Sequence, residues 1–245
     1  MFNYIEYIFS AIVVLISLSL HELAHGYTAY KLGDPTAKYM GRLTLNPIKH
    51  IDPYGLVCMV LFRIGWAKPV PINPRYFKKP KRDTAICAMA GPLTNLIIAF
   101  ISTFVYALLF KIFSGVEFTN EFLFNVVDNT CLFVYLFAII NVSLAVFNLL
   151  PIPPFDGSRI AFSLLPDKAY FKVMKYERTI YLVMLAWLFL GGLFADGLMS
   201  LPFAKGNVIF ELIAKVLSLS DLISSAITFV FEGMVKLVTL IPFLN

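Results

Sequence analysis

The chain has 245 residues, of which 59% are hydrophobic and only 14% charged, with a mean hydropathy of +0.80. Soluble domains carry about 25% charged residues, so the composition argues against a water-soluble globule, and the length leaves room for one membrane domain rather than two folded cores. The net charge of +5 points to membrane orientation rather than nucleic acid, because nothing aromatic or helical organises the basic residues.

Taken from the N-terminus, Tyr4–Tyr27 reads as a first membrane helix. It has no Lys or Arg before its apolar stretch, and Glu6 stands where a signal peptide would be basic, so it is expected to be retained. Near its end lies His21-Glu22-Leu23-Ala24-His25, an H-E-x-x-H pattern. Residues four apart share one face of a helix, so both imidazoles can reach one zinc ion, with Glu22 beside the water it activates. The plainer reading is a pair of histidines at a helix end near the interface. Two facts weigh against it. Ionisable groups within so apolar a run are costly and usually functional, and His21, His25 and His50 are the only histidines.

Leu43 to Pro80 follows. Its most apolar part, Pro53–Phe62, holds ten residues between Asp52 and Arg63, too short to span as a helix. Its prolines and glycines predict extended pieces joined by turns, a re-entrant loop or β-hairpin over 43–80 that dips into one side of the membrane. Arg42–Asn46 alternates weakly, as an edge strand for an extended substrate would. His50, beside Asp52, is expected to pack the loop. Cys58, Cys87 and Cys131 form no C-x-x-C pair and read as small buried hydrophobes.

Thr84–Phe110 and Asn129–Phe155 each run 27 residues without Asp, Glu, Lys or Arg. They exceed the ~20 residues a crossing needs and predict spans at about 84–111 and 130–150. Thr179–Leu198 predicts a fourth. Val208–Leu219 suits an amphipathic surface helix, and Leu222–Phe243 has the length to span despite Glu232 and Lys236. Of 20 Lys and Arg, 11 lie between Lys31 and Arg82, and a second cluster runs from Arg159 to Arg178. Basic loops stay cytoplasmic, which sets the N-terminus outside and makes the third span parallel to the first.

A catalytic zinc site takes three protein ligands and leaves one position for water. The candidate third ligand is Asp156, within Asn148-Leu-Leu-Pro-Ile-Pro-Pro-Phe-Asp156-Gly157. Taken alone, Asp-Gly reads equally well as a turn. Topology favours the ligand: with 43–80 not spanning, Asp156 emerges on the same cytoplasmic side as His21 and His25. Asn95 and Asn141 are polar residues within apolar helices, where an interhelical hydrogen bond is the default role. Asn141 and Asn148, seven apart, share a helix face.

These motifs together resemble the site-2 protease family of intramembrane metalloproteases. His21–His25 matches that family's H-E-x-x-H, Asn148–Gly157 its N-x-x-P-x-x-x-x-D-G segment, and Gly91-Pro92-Leu93-Thr94-Asn95 its G-P-x-x-N element, over residues 4 to 160. The resemblance implies an all-α integral membrane protein. Residues 1–160 would form a three-helix catalytic core with the membrane-dipping loop, and 161–245 would add further membrane helices. It implies one Zn2+ per chain on His21, His25 and Asp156, with Glu22 as general base. Asn95 would contact substrate or oxyanion, and Asn148 would orient a ligand or substrate. The expected activity is zinc endopeptidase cleavage in or near transmembrane segments, in regulated intramembrane proteolysis. The expected partners are the lipid bilayer and a membrane-protein substrate, either a single-span regulator or a remnant signal peptide, with no nucleic acid. The expected setting is a multi-pass position in a prokaryotic plasma membrane. Two alternatives remain at this stage: a membrane zincin of the prenyl-protein-processing or quality-control type, which uses a glutamate as third ligand, and a non-catalytic pseudoprotease, against which the intact Glu22 argues.

Overall fold

The computed structural model describes residues 4–55, 57, 67–201 and 207–242. Cys58, Lys205 and most of the predicted apolar dip at Pro53–Phe62 lie outside the described residues. The described residues are mainly helical and contain no sheet. Its contacts divide it into two units, 1–145 with 231–245, and 146–230.

The first unit contains α1 (Tyr4–Lys31), the short α2 (Thr36–Tyr39), α3 (Pro80–Phe113) and most of α4 (Glu121–Asn148). It also contains the last turns of α9 (Leu219–Thr239). Among the described residues, α1, α3, α4 and α9 are each long and apolar enough to cross a bilayer. The buried side chains on α1 include Val13, Ser17, His21, His25 and Ala29, and on α3 Asp83, Cys87, Gly91, Asn95, Ala99 and Thr103. Both sets recur every fourth residue, so each forms one stripe along its helix. The stripes are made of small and polar residues, while Ile8, Ile12, Ile97 and Ile101 face outward. Lipid is as apolar as leucine, so association of membrane helices rests on close backbone approach and interhelical hydrogen bonds.

The helix ends follow local chemistry. After α1, Gly33 sits at φ +108°, a conformation open to glycine, and the Asp34 N–H returns to the Ala29 carbonyl at 2.9 Å. The third span starts earlier than the charge pattern predicts. Asn120 Oδ1 accepts from the Phe122 N–H at 2.8 Å and caps α4, which starts at Glu121, ahead of Thr130.

The loop between α2 and α3 knits onto α1. Ile51 and Ala67 form an isolated antiparallel bridge, and the Lys68 N–H donates to the His50 carbonyl at 2.8 Å. These two contacts hold residues 50–51 beside residues 67–68. No strand forms at Arg42–Asn46, contrary to the alternation there. The segment bends because its groups are tied inward: Arg42 Nη2 donates to the Lys68 carbonyl at 2.6 Å, and His50 Nε2 lies 2.9 Å from the Thr44 carbonyl. A Cβ on Gly26 would come within 2.8 Å of Leu43 and 2.9 Å of Val70. The missing side chain lets the loop lie directly on α1, one residue past His25.

Segment 68–73 is pinned to α1 by two acids of this region. Asp34, fully buried, accepts from the Asn73 N–H at 2.6 Å through Oδ2 and from the Thr36 N–H at 3.0 Å through Oδ1. Glu22 Oε2 accepts from the Val70 N–H at 2.7 Å.

The second unit holds the end of α4, then α5 (Asp156–Phe162), α6 (Asp167–Lys175), α7 (Glu177–Met199), α8 (Val208–Leu217) and the start of α9. Helix α7 forms over the fourth predicted span, and α8 forms where an amphipathic helix is predicted. Asn207 Oδ1 caps α8 by accepting from the Ile209 N–H at 3.0 Å. Arg159 of α5 pairs with Glu177 at 2.7 Å.

Candidate metal centre

His21 and His25 stand on the buried stripe of α1, 3% and 7% exposed. Their Nε2 atoms are 2.9 Å apart. Nδ1 of His25 lies 2.7 Å from the Cys87 carbonyl of α3. A carbonyl only accepts, so that nitrogen carries the hydrogen. Nδ1 of His21 lies 2.5 Å from Oδ1 of Asn95, which also only accepts. With Nδ1 carrying the hydrogen, each ring turns its Nε2 toward the same point, and a neutral imidazole nitrogen is a preferred zinc donor. Metal-binding histidines commonly donate their other ring nitrogen to a carbonyl or carboxylate, and the Cys87 carbonyl and Asn95 amide oxygen fill that place. The donor set fits a zinc ion.

Helix α3 is shaped to allow this. A Cβ on Gly91 would lie 2.5 Å from Nε2 of both histidines, so only glycine leaves room at the ring edges. Pro92 follows inside the helix. It has no N–H and removes the helical donor to the Ala88 carbonyl, loosening the turn next to Cys87.

Glu22 is half-buried beside the histidines, with one carboxylate oxygen on the Val70 N–H. Asn95, expected to contact substrate, is fully buried. Its oxygen faces His21, and its nitrogen donates to Asn141 Oδ1 at 2.7 Å. Asn141, also fully buried, donates in turn to Ser17 Oγ at 2.8 Å. Ser17, Asn95 and Asn141 thus join α1, α3 and α4 through one chain of side chains.

Asp156 and Asn148 belong to the second unit. Asn148 is the last residue of α4, half-buried. Asp156 opens α5, a position where a carboxylate is favoured by the free N–H groups of the first turn. A Cβ on Gly157 would fall 2.2 Å from the Leu149 carbonyl oxygen. Glycine there lets α5 fold back against the chain that has just left α4, bringing Asp156 to that helix end.

Ser17 and the Gly91 gap were missed in the sequence. The signal was present as spacing: Ser17 is one turn before His21, and Gly91 is one turn before Asn95.

The profile of peptidase family M50 matches residues 9–191. YwhC of Bacillus subtilis is 42% identical over 174 residues, which cover 71% of this chain and 77% of that protein. Rip2 of Mycobacterium tuberculosis is 30% identical over 148 residues, 58% of this chain and 52% of that protein. MJ0392 of Methanocaldococcus jannaschii is 28% identical over 170 residues, 69% of this chain and 38% of that protein. All three have zinc metalloprotease in their names. The chain thus spans about half of the mycobacterial relative and less of the archaeal one. No solved structure gives a significant match. With the profile covering most of the sequence and the relatives sharing its named chemistry, the chain belongs to peptidase family M50, the site-2 protease family of membrane-embedded metalloendopeptidases.

Proposed function

We propose that this chain is an intramembrane zinc endopeptidase that cuts peptide bonds in or near transmembrane segments of other membrane proteins. One zinc per chain would be held by His21, His25 and Asp156. The observation that carries the reading is the pair of Nε2 atoms 2.9 Å apart, each on a ring whose Nδ1 is committed to an acceptor. Asp156 enters from its place in the N-x-x-P-x-x-x-x-D-G segment.

Zinc supplies Lewis-acid polarisation and lowers the pKa of water at the site. Glu22 accepts the proton of the attacking water on its carboxylate and returns it to the leaving amine nitrogen. The Val70 N–H holds one oxygen of Glu22, which fixes the carboxylate's orientation and leaves the other oxygen for proton transfer. Asn148, at the end of α4, is proposed to orient substrate or ligand. The substrate has to expose its backbone, because a helix hides its carbonyls in its own bonds.

The basic loops support a site toward the cytoplasm, and the bacterial and archaeal relatives support a prokaryotic plasma membrane. The proposed substrates are single-span regulators or remnant signal peptides, in regulated intramembrane proteolysis.

The test is zinc content of detergent-purified protein, beside Asp156→Ala and His25→Ala. Near-stoichiometric zinc in the wild type, falling sharply in both variants, is expected. Full retention in Asp156→Ala overturns the ligand set.

A further inference from the structure

We propose that Asn141 is a positioning residue that decides, through Asn95, which nitrogen of His21 carries its hydrogen. The inference rests on the metal-centre reading above and deepens it.

The argument starts at an atom whose role is fixed. The Phe137 carbonyl can only accept, and Nδ2 of Asn141 lies 2.9 Å from it. The same Nδ2 donates to Ser17 Oγ at 2.8 Å. This anchors the Asn141 amide with its nitrogen toward α1 and its own helix backbone. Its oxygen must then face α3, where it accepts from Nδ2 of Asn95 at 2.7 Å. Asn95 is turned by that contact, so its oxygen meets His21 at 2.5 Å. An amide oxygen accepts, so His21 holds its hydrogen on Nδ1 and keeps the Nε2 lone pair toward His25.

Each link is needed for the next. An asparagine amide can flip end for end with almost no change of shape. Were Asn95 flipped, it would offer N–H groups to Nδ1, and the His21 hydrogen would move to Nε2, where the metal belongs. Asn95 does not choose by itself; the choice is made by Asn141, 46 residues away in sequence, whose amide is anchored by the Phe137 carbonyl of α4. His25 needs no such relay, because the Cys87 carbonyl fixes it directly. The difference supplies an internal control.

The experiment uses the full chain in detergent, labelled with nitrogen-15 histidine and stripped of metal. Nitrogen-15 spectra distinguish a ring nitrogen that carries hydrogen from one that does not. Wild type is expected to show His21 with hydrogen on Nδ1. In Asn141→Ala, His21 is expected to divide between both forms while His25 stays unchanged. Zinc affinity, from chelator competition, is expected to fall about 10- to 100-fold, as for other groups that orient a metal ligand. In an Asn95→Asp background the same Asn141→Ala change should cost almost nothing, because a carboxylate offers His21 only acceptors and has no amide to turn. Thr103→Val serves as the control for a buried polar group of α3 outside the relay, and should leave both readouts unchanged. Should Asn141→Ala not fold, Asn141→Ser keeps a hydroxyl of free polarity and is expected to divide His21 in the same way. An unchanged His21 spectrum, or an equal loss of affinity in both backgrounds, overturns the proposal. A wild type that binds no zinc sinks the metal-centre reading, while the spectrum of the stripped protein still decides the relay.

Discussion

Gly91→Ala adds a single methyl group and tests the site's geometry directly. The new carbon would lie 2.5 Å from Nε2 of His21 and of His25. Unbonded heavy atoms sit best at ~3.5–4.0 Å, so roughly 1 Å has to be found. In metal-free protein the imidazoles can swing aside cheaply, since they are the far ends of side chains. With zinc bound they cannot, because Zn–N distances are held near ~2.0–2.1 Å. The strain therefore falls on the bound state. Overpacking by one methyl costs about 1–3 kcal/mol, which weakens zinc roughly 5- to 150-fold at ~1.4 kcal/mol per tenfold. Helix propensity predicts the opposite sign, since alanine stabilises a helix interior by about 1 kcal/mol over glycine. The assay is zinc affinity by chelator competition on purified protein. Affinity equal to wild type would refute the claim that the two rings converge against Gly91.

Two further changes probe the groups around the site. Glu22→Gln keeps an oxygen for the Val70 N–H and removes the base, so peptide cleavage should fall about 10^2- to 10^4-fold with zinc content unchanged; loss of zinc instead would make Glu22 a ligand. Asp34→Ala strips the acceptor from the Thr36 and Asn73 N–H groups. Leaving a buried donor unsatisfied costs about 1–3 kcal/mol, so thermal unfolding should come at a lower temperature. Segment 68–73 should also loosen against Glu22, read as faster backbone hydrogen exchange at Val70.

Much of this was legible in the sequence, for identifiable reasons. His21 and His25 could be read because a helix turns period four into one face, and α1, α3 and α4 because their apolar runs are long. The start of α4 was misread because Asp128 looked like a boundary, whereas Asn120 supplies the cap. The strand expected at Arg42–Asn46 failed because alternation says nothing about where carbonyls are spent; Lys68 and Thr44 spend theirs on Arg42 and His50. The orientation of Asn95 was out of reach as well. Which end of an amide faces a neighbour depends on a third residue, here Asn141, and no spacing rule encodes that.

The same stripe explains why helix packing and site geometry cannot be separated in this chain. On α3 the residues Cys87, Gly91, Asn95 and Ala99 follow at intervals of four, and on α1 Ser17, His21 and His25 do the same. In lipid, helices gain little from burying apolar area against one another, so small residues that permit close approach matter more. That approach is what brings His25 within 2.7 Å of a backbone carbonyl on the neighbouring helix. A carbonyl within a helix is usually spent on its own ladder; here the small-residue stripe lets a ring nitrogen reach the second lone pair of one from outside. The contact that orients His25 is therefore a consequence of backbone proximity, and the contact that orients His21 a consequence of side-chain polarity. One ring is set by steric economy and the other by the proposed hydrogen-bond relay, which is why a methyl at Gly91 should disturb both rings while a change at Asn141 should disturb only one.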